Sequence, residues 1–341
     1  MRIVACEIDR YEAPLVKALP RTATRLRSGL YITLRLADGR SGTGEIAPLS
    51  GFSAENLDEA QAQTTELAKL LVGGRDFQYV LSHNDMYSSV RCGLELVYAR
   101  LSAMALWWNP EESNFDSVEV CALLDPSPSR DDDFSVGSVV GTQIRRLISS
   151  EFARIKIKMA AGSVEDDIQI LNAASEAIGT HGKIRLDANR RWSFDEAVAV
   201  LTAADTSNIE FLEDPLRDPA DLPRLHATTG VPIALDESLN QFVRDDLNFE
   251  GLQWVYAIVL KPMLAGGYVR SYELANAAAN QGIRTVISSS FETAVGHEAL
   301  LRLSRSLPTP HLASGLDTQA YFLTSTVSGD QDVSLTRIFA V

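Results

Sequence analysis

Six charged residues, far apart in the chain, are spaced as if to meet. Lys156 and Lys158 end the run Arg154-Ile155-Lys156-Ile157-Lys158, and Asp187 ends Ile184-Arg185-Leu186-Asp187. Glu213 ends Phe211-Leu212-Glu213, Asp236 follows Ala234-Leu235, and Lys261 follows Val259-Leu260. The successive steps from Lys158 to Asp187, Glu213, Asp236 and Lys261 are 29, 26, 23 and 25 residues. One strand, one helix and two short loops use about that much chain. If each apolar run is a strand of one parallel barrel, all six charges stand on one rim.

That set has a definite chemistry. Residues two apart on a strand face the same way, so Lys156 and Lys158 point together and Ile155 and Ile157 point away. Two neighbouring, partly buried ammonium groups are expected to lower each other's pKa, which suits a lysine to act as a base near neutral pH. Asp187, Glu213 and Asp236 would repel one another without a cation. Three hard oxygen donors from three strands fit Mg²⁺, with Mn²⁺ as a substitute. Any one of these carboxylates alone reads as a helix cap or a loop charge; three in phase with the repeat do not. Asn189, Asp214 and Glu237 follow the ligand candidates closely and are expected to stand one step back, with Asp214 and Glu237 turned out of the rim. Lys261 faces Lys158 across the ring. Opposed amines about a metal suit removal of a proton next to a carboxylate.

The rest of the chain supplies elements to hold them. Strand-like runs lie at 118–124, 153–158, 183–187, 208–213, 231–236, 255–261, 283–288 and 311–315, with helical stretches such as 164–178, 194–204 and 267–281 between. This alternation predicts an α/β fold, a (β/α)7β-type TIM barrel. Before it, Leu30–Leu36 alternates and Asp38-Gly39 offers a hairpin turn, while 57–71 and 90–106 read as helices, the first capped by Ser53 or Asn56. The expected domains are an α+β capping domain, 1–116 completed by 320–341, and a catalytic barrel, 117–319. Asp131-Asp132-Asp133 reads as a solvated loop.

With 341 residues, 45% hydrophobic and 22% charged, the composition is that of a globular protein with a substantial core. A net charge of −14 argues against a nucleic-acid partner. It leaves a small anionic substrate open, because screening makes local lysines decide. No run reaches the roughly 18 apolar residues of a membrane span, and no secretory leader is seen. Cys6, Cys92 and Cys121 have no metal-ligand spacing and suit a reducing compartment, so a cytoplasmic protein is expected. The five histidines show no interpretable pairing.

These residues resemble the enolase superfamily, in its muconate-lactonising subgroup, and within that the o-succinylbenzoate synthase family. Gly42-Thr43-Gly44-Glu45-Ile46-Ala47-Pro48-Leu49-Ser50-Gly51-Phe52-Ser53 is similar to that family's G-x-G-E-x-x-P-L-P-G-F-S loop. Arg185-Leu186-Asp187-Ala188-Asn189 is similar to its R-x-D-A-N, Leu260-Lys261-Pro262 to its I-K-P, Ser288–Glu292 to its S-S-x-E segment and Gly315-Leu316-Asp317-Thr318 to its G-L-D-T. The resemblance covers nearly the whole chain. It implies Lys158 as base and then acid, Lys156 as the residue that tunes and orients it, Lys261 as the charge that holds an enediolate, and Mg²⁺ on Asp187, Glu213 and Asp236. It implies loss of water from 2-succinyl-6-hydroxy-2,4-cyclohexadiene-1-carboxylate to give 2-succinylbenzoate, a step of menaquinone biosynthesis. Ser288, Ser289, Gly315 and Arg185 are the implied substrate contacts, with Phe52 on a closing loop.

The chain departs from the pattern twice. Glu213-Asp214-Pro215 stands for the commoner E-E-P, and Ser50 stands for a Pro. An alternative in the same subgroup is an N-acylamino acid racemase or dipeptide epimerase, which uses the same lysines. Epimerases of that type carry D-x-D where this chain has Leu316-Asp317-Thr318, which favours the synthase. A non-catalytic barrel that only binds is disfavoured because no lysine or carboxylate of the set is lost.

Overall fold

A computed structural model describes residues 1–19, 21–102, 107–108, 118–126, 136–243, 247–307 and 311–323. Strands β1 (Ile3–Pro14), β2 (Leu26–Leu36) and β3 (Ser41–Ile46) form an antiparallel sheet in that order. The turn between β2 and β3 places Gly39 at φ +89°, the backbone region glycine adopts without cost. Leu30, Ile32, Leu34 and Leu36 alternate inward and pack with Leu67, Leu71, Leu94 and Val97 from helices Leu57–Val72 and Ser88–Ser102. Asn56, not Ser53, caps the first helix, in a reciprocal box with Glu59.

Helix Ser88–Ser102 lies very close on β3. A Cβ built on Gly44 would stand 2.0 Å from the Gly93 carbonyl oxygen, a backbone atom that cannot swing aside. Gly44→Ala is therefore expected to cost roughly 3 kcal/mol, the upper end of ordinary overpacking. Equilibrium urea unfolding measures it, and an unchanged midpoint would contradict the packing described.

The second sheet holds β4 (Ala122–Leu124), β5 (Arg154–Lys158), β6 (Lys183–Asp187), β7 (Ile209–Glu213), β8 (Ile233–Leu235), β9 (Val255–Leu260) and β10 (Arg284–Ile287). They run parallel in sequence order, each next to the last. The segment 311–315 fills the gap between β10 and β4 through isolated bridges rather than as a regular strand. Thr285 pairs with His311, Ser288 with Gly315, and Val120 with Ser314. The Gly315 N–H donates to the Ile287 carbonyl and the Cys121 N–H to the Ser314 carbonyl, both at 2.8 Å. The sheet is thus closed into a barrel.

Alternation along the strands sorts the residues. Ile155, Ile157, Ile184, Leu186, Leu212, Ile258 and Leu260 belong to the core shared with the outer helices. Phe211, Ala234, Ala257, Val259 and Val286 form a separate apolar cluster inside the barrel. Lys156, Lys158, Arg185, Asp187 and Glu213 have the inward parity, so the charges are on the barrel's inner face.

Three buried side chains of the first sheet and its helix join it to the barrel. Glu45 of β3 accepts hydrogen bonds from the Thr293 N–H at 2.9 Å, the Thr293 hydroxyl at 2.8 Å and the Gly296 N–H at 2.8 Å. It thereby satisfies the start of helix Ala294–Ser306, which Thr293 does not cap itself. Glu95 accepts from the Tyr268 and Val269 N–H groups at 2.6 and 3.1 Å, capping helix Tyr268–Ala279, and burial pushes its carboxyl up to about 7. The Arg27 guanidinium donates to the carbonyls of Phe291 at 2.9 Å, Pro48 at 2.8 Å and Ala47 at 2.5 Å. The chain returns here too: the Val16 N–H donates to the Tyr321 carbonyl and the Leu323 N–H to the Pro14 carbonyl. The expected seam at 116/117, the acidic run Asp131-Asp132-Asp133 and the tail beyond Leu323 lie outside the described residues.

Candidate active site

Register fixes the first row of the site. Lys158 pairs with Asp187, and Asp187 with Glu213, across three adjacent strands. Asp236 follows the last residue of β8 and Lys261 the last of β9, so both stand just above the same rim. Lys261 is four strands from Lys158. The Lys156 ammonium donates to Glu213 Oε1 at 2.5 Å and stands 2.8 Å from Asp187 Oδ2. Lys158 Nζ donates to Asp187 Oδ2 at 2.6 Å and to Asn189 Oδ1 at 2.8 Å, and Lys261 Nζ donates to Asp236 Oδ2. Lys156, Lys158, Asp187 and Glu213 thus form one ion-paired row, Lys261 pairs with Asp236, and the amines Lys156, Lys158 and Lys261 line one cavity with Glu213.

The electrostatics differ from expectation at Lys156. Burial works against its charge, but Asp187, Glu213 and Asp236 outweigh burial and hold it above the ordinary lysine range. The second lysine matters less to Lys156 than the three carboxylates in front of it. Burial likewise opposes the charge on Asp187, yet Lys156 and Lys158 keep its carboxyl well below the usual carboxylate range. Glu213 is pushed up to about 7 by burial, with Lys156 opposing and Asp187 and Asp236 adding to the rise. Burial also raises Asp236 against the pull of Lys261. Lys261 is raised to about 12, because Asp236 and Glu213 overcome burial.

Among the described residues no three His, Cys, Asp or Glu side chains are gathered at one metal-binding point. The ammonium groups of Lys156, Lys158 and Lys261 are paired with these carboxylates. The donor set nevertheless fits a divalent cation. It consists of hard oxygens from three successive strand ends, and one positive nitrogen already spans Asp187 and Glu213.

Behind this row, Asp214 accepts from the N–H groups of Asp236 at 3.2 Å and Ser238 at 2.7 Å, and from the Ser238 hydroxyl. It fixes the turn that carries Asp236, and its shorter side chain serves where a Glu is usual. Asn189, at φ +47°, receives the Lys158 ammonium and donates its N–H to Asp187 Oδ1 at 3.0 Å. Glu237 corrects an expectation. It lines the cavity instead of turning away, with Oε2 buried and unbonded and Oε1 3.4 Å from Arg21 Nη2. It lies past the end of β8, where strand alternation no longer applies.

The cavity has a volume of about 280 Å³ and lies between the barrel rim and the loops that follow β1 and β3. Lys156, Lys158, Glu213 and Lys261 line it, and so do Arg185, Ser288, Ser289, Gly315 and Phe52. Arg185 is fully buried. It is fixed by Glu210 Oε2 and the Ala313 carbonyl, both at 2.6 Å, while its Nη2 has no partner. The Ser289 hydroxyl donates to Glu292 at 2.6 Å and accepts from Thr318 at 2.9 Å, which locks the turn presenting it.

Sequence reasoning missed several lining residues. Lys17 and Arg21 come from the loop between β1 and β2, Arg191 from the loop after β6, and Asp317 and Tyr321 from the end of the described chain. The Arg21 guanidinium lies 4.2 Å over the Phe52 ring and donates to the Gly51 carbonyl at 3.3 Å. None of these sits at a strand end, so the pattern that exposed the six gave no sign of them.

Comparison with known proteins agrees with this architecture. Residues 140–337 match the family described as Enolase C-terminal domain-like, and residues 6–101 match MenC, N-terminal domain. The o-succinylbenzoate synthase of Vibrio cholerae is 32% identical over 319 residues, covering 92% of this chain and 89% of that protein. Protein PHYLLO, chloroplastic, of Arabidopsis thaliana is 32% identical over 310 residues, 81% of this chain; the chain spans only 17% of that protein's length. The dipeptide epimerase from Enterococcus faecalis, crystallised with Mg and the dipeptide L-Leu-L-Tyr, superposes with a TM-score of 0.80 at 20% identity. That match covers 96% of this chain and 94% of that one. At that identity the likeness speaks for the fold. The chain belongs to the enolase superfamily, and within it to the o-succinylbenzoate synthase family. It is an enzyme, of a family of hydro-lyases. No helix among the described residues is long and apolar enough to cross a membrane.

Proposed function

We propose that this enzyme removes water from 2-succinyl-6-hydroxy-2,4-cyclohexadiene-1-carboxylate to give 2-succinylbenzoate, a step of menaquinone biosynthesis, with Mg²⁺ as cofactor. The observation that carries the reading is the pair of amines, Lys158 and Lys261, on opposite sides of one cavity with the row Asp187, Glu213 and Asp236 between them. The likeness to the Vibrio cholerae synthase over 92% of the chain supports it.

Asp187, Glu213 and Asp236 would hold the ion. When bound, it supplies positive charge opposite the carboxylate next to the acidic C–H. Lys158, as the free amine, takes that proton, and the electron pair moves into the carboxylate as an enediolate. Lys261 stands on the far face, where its ammonium stabilises the enediolate's negative charge. The electron pair then returns, the ring C–O bond breaks, and the Lys158 ammonium gives its proton to the departing hydroxide. Water leaves and the ring becomes aromatic. Ser288, Ser289, Gly315 and Arg185 are the proposed contacts to the substrate, and Leu49 and Phe52 cover it and exclude water.

The test is an assay of purified protein with Mg²⁺ and the cyclohexadiene acid. Growth of the aromatic absorbance of 2-succinylbenzoate is expected, and its failure to appear would reject the reading.

A second reading, racemisation or epimerisation of an N-acylated amino acid or dipeptide, is favoured by the two opposed amines and by the fold shared with a dipeptide epimerase. Against it, Leu316 and Thr318 stand where the D-x-D of such epimerases has its two acids, and Asp317 between them accepts the Leu123 N–H at 3.0 Å. Incubation with a dipeptide in D₂O distinguishes the two: exchange at Cα without any dehydratase activity would favour this one.

A further inference from the structure

We propose that Arg191, with Lys17 lining the same cavity, seats a second carboxylate of the substrate. This rests on the dehydratase reading above and deepens it. The proposed substrate carries one carboxylate at the reacting carbon and another at the end of its succinyl chain. The first belongs between Lys158 and Lys261. The second needs a cation farther out, on a wall continuous with the base.

Arg191 has that position. Lys158, Asn189 and Arg191 line the same cavity. The backbone carrying Arg191 is held on both sides. Asn189 and Arg190 have φ of +47° and +59°, and the Asn189 N–H is tied to Asp187. The Arg190 N–H donates to the Asp214 carbonyl at 2.8 Å and the Arg191 N–H to the Ala188 carbonyl at 3.0 Å. The next residue, Trp192, is buried, with its indole N–H on Asp167 Oδ2 at 2.8 Å. Between these anchors the Arg191 side chain is exposed and has no hydrogen bond or ion pair among the described residues. Among the neighbouring cations, Arg21 is engaged with Glu237 and Phe52 and Arg190 with the Arg217 carbonyl at 3.3 Å, while Arg185, though its Nη2 has no partner, is fully buried and held by Glu210 and the Ala313 carbonyl. Lys17 is likewise exposed and unpaired among the described residues. A fixed backbone that presents an uncommitted guanidinium suits fork-like recognition of a carboxylate. A net charge of −14 would not draw in a dianion, so the preference for one must come from such local cations.

The experiment measures, by titration calorimetry with Mg²⁺ present, the binding of 2-succinylbenzoate and of 2-butanoylbenzoate, which has the same chain without the terminal carboxylate. The proteins are the wild type, Arg191→Gln, Arg191→Lys and Lys17→Gln. Wild type is expected to prefer the diacid by about tenfold. Arg191→Gln should cut the preference to about twofold without weakening the monoacid, Arg191→Lys should keep part of it, and Lys17→Gln should reduce it less. In turnover, Arg191→Gln should raise KM and leave kcat nearly unchanged. An Arg191→Gln protein that keeps the wild-type preference overturns the inference while the dehydratase reading stands. A wild type that binds neither acid overturns the dehydratase reading and removes this inference with it.

Discussion

Lys158→Ala is expected to lower kcat by at least about 10³-fold, with the protein still folded. A single positioned acid or base contributes about 10²–10⁴-fold, and Lys158 is proposed to act twice, first taking the proton and then returning it to the leaving hydroxide. The loss should therefore fall toward the upper part of that range. Folding should survive, because the Asp187 carboxylate keeps Lys156 at 2.8 Å and the Ala188 and Met159 backbones are unaffected. Thermal unfolding within a few degrees of wild type checks the second point. The first is checked by steady-state rates and by substrate deuterium exchange in D₂O, which should vanish with turnover. A variant that still dehydrates at a near-normal rate would remove Lys158 from the mechanism.

Removing divalent ions with EDTA is expected to stop the reaction, and Mg²⁺ or Mn²⁺ to restore it. The physical reason lies in the pairings described. The carboxylates of Asp187, Glu213 and Asp236 pair with the ammonium groups of Lys156, Lys158 and Lys261, and an ion held by those carboxylates would release the amines. Those are the amines the substrate needs. The same pairings offset the buried negative charge, so the ion-free protein should stay folded. Mg²⁺ well above its Kd should then raise the melting temperature by a few degrees, since a ligand bound only to the native state stabilises it by about 2.7 kcal/mol at a hundredfold excess over Kd. Full activity after exhaustive chelation, or no shift in melting with Mg²⁺, would reject the carboxylates as the ion's seat.

The part of the site that sequence revealed is the part tied to strand periodicity. Lys158, Asp187 and Glu213 end their strands in register, and a polar residue at the end of an apolar run is conspicuous. Inward and outward parity followed from the same rule, and so did the barrel. Where the backbone leaves the strand, the rule fails. Glu237 faces the cavity because it lies in the turn after β8, and Asn189 does so through a left-handed residue no periodicity announces. Lys17 and Arg191 look like any solvated charge until the folded chain puts them beside one cavity. The raised pKa of Lys156 depends on how many carboxylates surround it, which spacing alone does not count. The eighth barrel position was legible as an apolar run at 311–315, but its pairing is carried by single bridges, so its regularity was overestimated.

Glu45, Arg27 and Glu95 carry a consequence for anyone exchanging parts between relatives. Two barrel helices start on carboxylates borrowed from the antiparallel sheet and its helix, and the carbonyls just ahead of the covering loop hang on one guanidinium. A catalytic half excised by itself would begin those helices with bare amide hydrogens in an apolar setting. A chimera must therefore transplant donors and acceptors as matched sets, and the loop that follows Pro48 travels only with its anchoring arginine.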